Sequence, residues 1–234
     1  MKRKIELFMV LFLLIGAIVA SWKLSELTAN VSKEGAKTKK NQTVIVVDPG
    51  HGGEDPGKVG ANDVLEKDLN LQIAKKVQKL LEEAGIKVVM TREDYKVPDA
   101  KKEDLEQRVK LINDTNPTLA LCIHQNSYPD EAIRGAQVFY HTTTTEAEDA
   151  ASIVQESLRT VDTTNTRQIK ENDTYYMLKN SKVPTIIVEC GFLTNPEEAE
   201  KLVQEEYQDK IAQAICEGVV KWLEGDSAEE SAKK

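Results

Sequence analysis

The chain has 234 residues, of which 40% are hydrophobic, and this composition suits one domain of catalytic size with its own core. Its formal net charge of -8 at pH 7 argues against a nucleic-acid-binding protein, because such proteins bind phosphates through clustered Lys and Arg. The odd number of cysteines without Cys-x-x-Cys spacing argues against a disulfide framework and a zinc ribbon, so Cys122, Cys190 and Cys216 are predicted to be buried free thiols.

The first 22 residues have the pattern of an export signal. A basic segment, Met1 to Lys4, precedes an almost unbroken apolar run from Leu7 to Ala20, which has the length of a signal-peptide core. Ile18 stands where a cleavage site takes a small residue, so a cleaved signal peptide and a signal anchor both stay open. Either one predicts an extracytoplasmic protein, secreted or anchored to the membrane.

Two polar segments flank the part of the chain that is predicted to fold. Residues 23–42 contain five lysines among Ser, Thr, Asn and Gly, which is typical of a solvated linker. Residues 225–234 lack apolar periodicity and are predicted to form a polar tail that frays. The folded domain is therefore predicted to span residues 43–224.

Within that span, runs rich in β-branched residues alternate with segments of helical periodicity. Short buried strands are predicted at residues 43–47, 86–90, 119–123, 136–140 and 184–188. Apolar residues that recur every three or four positions predict helices at residues 69–84, 105–112, 150–157 and 207–222. This alternation predicts an α/β fold, a single domain with a mostly parallel twisted sheet flanked by helices.

Polar side chains follow three of the predicted strands. His51 follows the first strand in the sequence VVDPGHGGEDPG, His124 follows the third, and Glu189 follows the fifth; Glu66 begins the first predicted helix. Ligands gather at the carboxyl ends of parallel strands, so we expect these side chains at one edge of the sheet. Two imidazoles and a carboxylate, with a fourth position left to water, form a catalytic zinc site, and a second carboxylate there can serve as a base.

Three of these four residues also have an ordinary structural explanation. His51 among glycines fits a turn as well as a ligand, and the glycine spacing excludes both common phosphate-binding motifs. His124 fits a core histidine, and Glu66 at a helix start complements the helix dipole. Glu189 is different, because burying a carboxylate after an apolar strand is costly without a metal, hydrogen bonds or a catalytic use. The third histidine, His141, is expected at a solvated rim.

Over residues 43–222 the sequence resembles the zinc-dependent N-acetylmuramoyl-L-alanine amidases that carry D-P-G-H-G-G near their start. The resemblance rests on segments that occur in this order: DPGHGGEDPG, LEKDLNL, TRED, LEQRVKLIN, IHQNS and VPTIIVECGFLTNPEE. It implies that His51, Glu66 and His124 hold Zn²⁺ and that Glu189 is the catalytic carboxylate. It also implies cleavage of the amide between N-acetylmuramic acid and the L-alanine of the peptidoglycan stem peptide.

Three further residues are candidates for substrate contacts. Asn126 lies in the IHQNS segment, where Gln125 departs from the small residue of many relatives and is interpreted as a change in substrate fit. Arg167 and Lys170 match a basic stretch before the last strand of the family. They are interpreted as contacts to stem-peptide carboxylates, and a solvated loop explains them equally well. Cys190, beside the catalytic carboxylate, is interpreted as a small apolar residue packed inward, the alternative being an oxidisable thiol near the zinc.

The layout of leader, linker and catalytic domain resembles the germination-specific amidases, which remove stem peptides so that muramic δ-lactam forms in the spore cortex. It predicts a glycan strand with stem peptide as the substrate and a location around the developing spore. It leaves open anchoring through the leader and an activating protein partner. A general autolysin or cell-separation amidase is the alternative. An inactive peptidoglycan-binding module and a zinc exopeptidase are further alternatives, against which the intact set of four site residues and the motif order argue.

Overall fold

A computed structural model of the chain describes residues 43–142 and 144–232, with side chains up to residue 225. The predicted leader and linker, residues 1–42, lie outside the described residues, as does the very end of the predicted polar tail. Within the part that is described, no helix is both long enough and apolar enough to span a membrane.

The described residues form one six-stranded sheet. Its strands are β1 (Val44–Pro49), β2 (Lys87–Met90), β3 (Leu119–Asn126), β4 (Gln137–Tyr140), β5 (Lys170–Glu171) and β6 (Thr185–Phe192), in the spatial order β2-β1-β3-β6-β4-β5. Strand β4 runs antiparallel to β6, and every other neighbouring pair in this sheet is parallel. The predicted fold class, an α/β domain with a mostly parallel sheet, is therefore confirmed.

Helices cover both faces of the sheet. They are α1 (Glu66–Glu83), α2 (Lys101–Thr115), α3 (Thr145–Leu158), α4 (Tyr176–Asn180), α5 (Pro196–Leu202) and α6 (Glu205–Ala232). Successive side chains of a strand point to opposite faces, so Ile45 and Val47 join the core under α1, α3 and α6, while Val46 joins the core under α2 and α4. Burial on both faces is the reason that these strands read as continuous apolar runs.

Three strands continue past their predicted ends: β1 reaches Pro49, and in β3 and β6 the extension includes a candidate site residue. Strand β3 reaches Asn126 and β6 reaches Phe192, so His124 and Glu189 lie within strands rather than after them. Their backbones stay in the sheet, where His124 is the partner of Glu189 across the ladder, with a register shift between His124 and Asn126. The polar side chains of His124 and Glu189 therefore belong to the candidate site, and backbone pairing in both strands continues beyond them.

The helix boundaries follow local sequence signals. Helix α1 ends before Gly85, whose φ of +80° is the left-handed conformation that closes a helix. Helix α5 was not predicted, although Asn195 caps it by accepting a hydrogen bond from the Glu198 amide and Pro196 occupies its first turn. Helix α6 continues to Ala232, into the segment that was predicted as a polar tail.

The three cysteines are buried and free, as predicted. Cys190 is fully buried and belongs to the larger core cluster, so it packs inward as a small apolar residue.

Candidate metal centre

Three neighbouring strands bring distant parts of the sequence to one edge of the sheet. Strand β3 pairs with β1 on one side and β6 on the other, all parallel. His51 follows the end of β1, while His124 lies near the end of β3, opposite Glu189 of β6. Glu66 is the first residue of α1, the helix that follows the His51 loop. The predicted convergence of these four residues at the carboxyl ends of parallel strands is what the structure shows.

His51, Glu66 and His124 form a compact group of potential metal ligands. One ligand atom from each lies within 4.8 Å of the other two. His51 Nε2 is 3.2 Å and His124 Nδ1 is 3.0 Å from the same carboxylate oxygen, Glu66 Oε1. The two rings meet edge-on, with centroids 5.0 Å apart. Two imidazole nitrogens and one carboxylate directed at a common point are a donor set that fits zinc.

A second layer of hydrogen bonds orients His51. Its Nδ1 lies 2.9 Å from Asp55 Oδ2, which leaves Nε2 directed at Glu66. Burial raises the pKa of Asp55, but the hydrogen bonds from His51, the Gly57 amide and Lys101 outweigh it and lower that pKa to about 2. A carboxylate behind a ligating imidazole is a common arrangement at metal sites, because it fixes the ring and its tautomer.

Glu66 is buried and held by backbone and side-chain donors. Its Oε2 accepts the Lys58 amide at 2.8 Å, and its Oε1 accepts the Gln125 amide at 3.1 Å. Burial raises the pKa of this carboxyl, but the hydrogen bonds from His124 and His51 hold it well below its ordinary value. Glu66 is therefore fixed as a carboxylate, the form in which it can act as a ligand.

Glu189 is the buried carboxyl beside this group and is not part of it. It is 5% exposed, and its Oε2 has no hydrogen-bond partner among the described residues. Burial raises its pKa to about 7, although the neighbouring His124 works in the opposite direction. A carboxyl that titrates near neutrality and keeps one oxygen free has the properties of a general base.

Glycines allow the loop backbone to approach the ligand side chains. A Cβ atom on Gly50 would overlap the His124 ring. A Cβ atom on Gly57, whose φ is +66°, would lie 2.6 Å from Glu66 Oε2 and 2.7 Å from His51 Cδ2. The loop can therefore enclose the ligands only without side chains at these two positions.

We expect Gly50→Ala to lower the affinity for added zinc by about tenfold or more, because the new methyl group must displace the His124 ring. Competition with a chromogenic chelator measures the affinity. Gly225→Ala is the matched control, because a Cβ there meets no atom within 4 Å, and it should bind zinc as the parent does. Equal affinities for the parent and Gly50→Ala would contradict the expectation.

Two buried arginines, Arg92 and Arg108, hold the backbone of the loop that carries His51. Arg92 donates to the carbonyl oxygens of Pro49 and Gly50 at 2.9 and 3.0 Å. Arg108 donates to those of Pro49 and His51 at 2.6 and 2.7 Å. Three consecutive carbonyl groups are thus fixed by two guanidinium groups. Both arginines belong to segments that carry the family resemblance, TRED and LEQRVKLIN, but neither had a predicted role. For Arg108 the available signal was a charged residue within an otherwise core-facing helical pattern, and Arg92, which lies outside the helices, had no such signal.

Arg108→Met is expected to destabilise the fold by about 3–5 kcal/mol, because it leaves the fully buried Asp48 without its ion-pair partner, 2.9 Å away. Burial raises the pKa of Asp48, but Arg108 and other donors lower it overall. The ion pair therefore stabilises the parent above the pKa of an unfolded Asp, and this contribution is lost as pH falls. Urea unfolding at pH 7 measures the loss. Arg134→Met is the control: it removes two exposed contacts, an ion pair with Glu197 and a long hydrogen bond to Thr164, and should cost about 0–1 kcal/mol. Equal losses in both variants would contradict this account.

We refer to His51, Glu66 and His124 as the metal-ligand group, and a cleft of about 380 Å³ opens over it. Asn126, a predicted substrate contact, lines the cleft together with three residues that had no predicted role: Lys101, Tyr175 and Tyr176. Arg167 and Lys170 are not among the described lining residues. Arg167 lies over the Phe192 ring, 4.5 Å from its centroid, and Lys170 lies 5.9 Å from the centroid of Phe139.

Comparison with known sequences identifies relatives over most of the chain. Residues 45–221 match the family model described as N-acetylmuramoyl-L-alanine amidase. The chain is 40% identical over 197 residues to the germination-specific N-acetylmuramoyl-L-alanine amidase of Bacillus subtilis, with 80% of this chain and 83% of that protein aligned. It is 36% identical over 200 residues to the amidase LytC of the same organism, with 83% of this chain and 39% of that protein aligned.

Solved structures give the same relationship. The CwlD amidase from Clostridioides difficile, in complex with the GerS lipoprotein, superposes with a TM-score of 0.75 at 36% identity, covering 78% of this chain and 98% of that one. The catalytic domain of CwlV, an N-acetylmuramoyl-L-alanine amidase from Bacillus (Paenibacillus) polymyxa var. colistinus, superposes with a TM-score of 0.71 at 28% identity. This match covers 78% of this chain and 98% of that one.

Proposed function

This chain belongs to the N-acetylmuramoyl-L-alanine amidase family, and from that premise we propose that it is a zinc-dependent peptidoglycan hydrolase of spore-cortex formation. The family predicted from the sequence motifs is confirmed, and the chain is a peptidoglycan amidase. Peptidoglycan lies outside the cytoplasmic membrane, so the enzyme acts there. The observation that supports zinc is the converging group of His51, Glu66 and His124.

The residues of the site divide the chemistry of amide hydrolysis between them. His51, Glu66 and His124 would hold zinc, which when bound supplies Lewis acidity to polarise a carbonyl and acidify water. Glu189, with its free oxygen, accepts a proton from the attacking water and passes it to the departing amine of L-alanine. Burial raises the pKa of this carboxyl above its ordinary value, which favours a group that both takes and gives the proton.

Other cleft residues fit the two halves of the substrate. The side-chain amide of Asn126 supplies hydrogen bonds to the substrate. Lys101, whose side chain is 65% exposed, supplies a positive charge for a stem-peptide carboxylate. Arg167 and Lys170 stay proposed contacts for stem-peptide carboxylates, and they require a peptide that reaches beyond the cleft, since neither lines it.

Mass analysis of purified peptidoglycan tests the reaction. Incubation with the zinc-loaded protein is expected to release stem peptides with a free L-alanine amino terminus and to leave intact glycan strands. A chelator should stop the release, and zinc should restore it. Cleavage between sugars, or cleavage that persists without metal, would contradict the proposal.

A role in the cortex predicts a specific defect in spores that lack this chain. Muramic δ-lactam should be absent from their cortex, because its formation requires prior removal of the stem peptide, while vegetative growth and cell separation stay normal. The similarity to the germination-specific amidase of Bacillus subtilis supports this role. Muropeptide analysis of the spores measures the δ-lactam. Unchanged δ-lactam together with chained vegetative cells would support the autolysin alternative.

A protein partner and a location around the developing spore are part of the same proposal. The related CwlD amidase was solved in complex with the GerS lipoprotein, which supports a comparable partner for this chain. With a net charge of -8, the chain has little electrostatic attraction to an anionic wall or membrane, so retention at the spore requires the leader or such a partner.

A further inference from the structure

A second groove of about 460 Å³ adjoins the catalytic cleft. Its walls come from the loop before α1, the loop after β3 and Thr194 after β6. Ser127 lines both the groove and the cleft, so the two lie next to each other. The Lys58 amide, in the wall of the groove, donates to Glu66 Oε2, which ties the groove directly to the metal-ligand group.

The groove combines an exposed aromatic ring with polar groups. Tyr128 is 55% exposed and Val59 is 46% exposed, and both line it. Three polar residues also line the groove and carry an ammonium, a carboxylate and a hydroxyl group: Lys58, Glu131 and Thr194. The C–H face of a pyranose packs on an aromatic ring, while its hydroxyl and acetamido groups form hydrogen bonds with such polar neighbours. The lining therefore suits a sugar better than an apolar ligand.

The loops that form the groove are tied to one another. The Tyr128 amide donates to Thr194 Oγ1 at 3.1 Å, and Asn195 Nδ2 donates to the Glu131 carbonyl at 2.7 Å. The Ala61 amide donates to the Leu193 carbonyl at 2.9 Å. A surface held in this way loses little conformational freedom when a ligand binds, which favours affinity.

Another wall of the catalytic cleft has a different chemistry. There Tyr175 and Tyr176 at the start of α4 offer apolar ring surface, and Lys101 of α2 offers an ammonium group that also lies 3.0 Å from Asp55 Oδ2. A stem peptide presents carboxylates and short apolar side chains, and a glycan strand presents hydroxyl and acetamido groups. The two walls thus match the two parts of a substrate whose scissile amide joins sugar to peptide.

We propose that the Tyr128 groove binds the saccharides that flank the muramic acid carrying the scissile bond, with the stem peptide directed toward Lys101 and Tyr175. This inference rests on the proposed amidase function. It makes Tyr128 a specificity-determining residue for glycan length, with no part in the chemical step.

Kinetics with two substrates test the proposal, using full-length, zinc-loaded protein. For glycan strands of several disaccharides with stem peptides, Tyr128→Ala should raise KM by about 3- to 10-fold with kcat nearly unchanged. For N-acetylmuramoyl-L-alanyl-D-isoglutamine, which has no flanking sugar, both constants should stay within about twofold of the parent. Tyr128→Phe should retain strand affinity. Tyr95→Ala, at another exposed tyrosine that lines neither groove nor cleft, should match the parent on both substrates.

Binding of glycan strands freed of their peptides provides a readout that does not require hydrolysis. Calorimetry should detect binding of these strands to the parent and to Tyr128→Phe. Binding to Tyr128→Ala should be several-fold weaker. Equal strand KM and equal strand binding in Tyr128→Ala and the parent would overturn the proposal. Failure of the parent to hydrolyse any muramoyl-peptide amide would refute the proposed function instead, and strand binding would still decide whether the groove is a saccharide site.

Discussion

Glu189→Gln is expected to lower turnover by about 10²–10⁴-fold or more while leaving zinc bound, because glutamine cannot accept the proton of the attacking water. Glu189 is outside the group of potential ligands, so the metal affinity should stay close to that of the parent. The fold should be at least as stable as the parent, since glutamine lacks the charge whose burial raises the pKa of Glu189. Hydrolysis of a muramoyl peptide, zinc content and thermal denaturation measure the three effects.

Glu198→Gln is the matched control for the loss of a buried carboxylate. Glu198 lies in the same segment of sequence and is buried, but it accepts hydrogen bonds from the amides of Gly135 and Phe192. This variant should lose about 1–3 kcal/mol of stability and keep turnover per folded molecule within a few fold of the parent. Turnover by Glu189→Gln at the level of Glu198→Gln would rule out Glu189 as the base.

His124→Ala is expected to abolish activity through loss of the metal. The change removes one of the three proposed protein ligands, and its effect on zinc affinity should exceed the roughly 10–100-fold cost of losing a hydrogen bond behind a ligand. Elemental analysis after dialysis against metal-free buffer should show zinc in the parent and little in the variant.

His141→Ala is the matched control, because His141 is the one histidine of the sequence outside the group of three. It should retain zinc and activity. Full zinc occupancy in His124→Ala would show that the proposed ligand set is wrong, whatever happens to the activity.

Sequence reasoning placed the four central residues correctly because it could use a topological rule. Apolar runs and helical periodicity predict alternating strands and helices, and parallel pairing then brings the carboxyl ends of the strands together. His51, His124 and Glu189 were singled out by their position after such runs. His51 and His124 each had an ordinary structural explanation when considered alone, and only their convergence in space favours the functional interpretation over the structural one.

Other parts of the site depend on information that a periodic pattern does not carry. Arg92 and Arg108 act through backbone carbonyl groups, and which carbonyl a buried guanidinium meets is decided by tertiary packing. The two-residue strand β5 exists because the chain passes along β4, and its sequence has no strand periodicity. Tyr128 gives no signal in the sequence, because an exposed aromatic residue in a loop is ordinary until the groove around it is known.

The position of β3 between β1 and β6 also governs when the metal-ligand group exists during folding. Its donors come from segments far apart in sequence, and pairing of such segments is the slow, late part of forming a parallel sheet. An unfolded chain therefore offers no complete site, and the proposed zinc ion would bind the native state in preference. By mass action, free zinc at about 100 times its dissociation constant would add about 2.7 kcal/mol to the unfolding free energy. Zinc would then protect the enzyme against unfolding and proteolysis, and chelation would shorten its lifetime as well as stop its reaction.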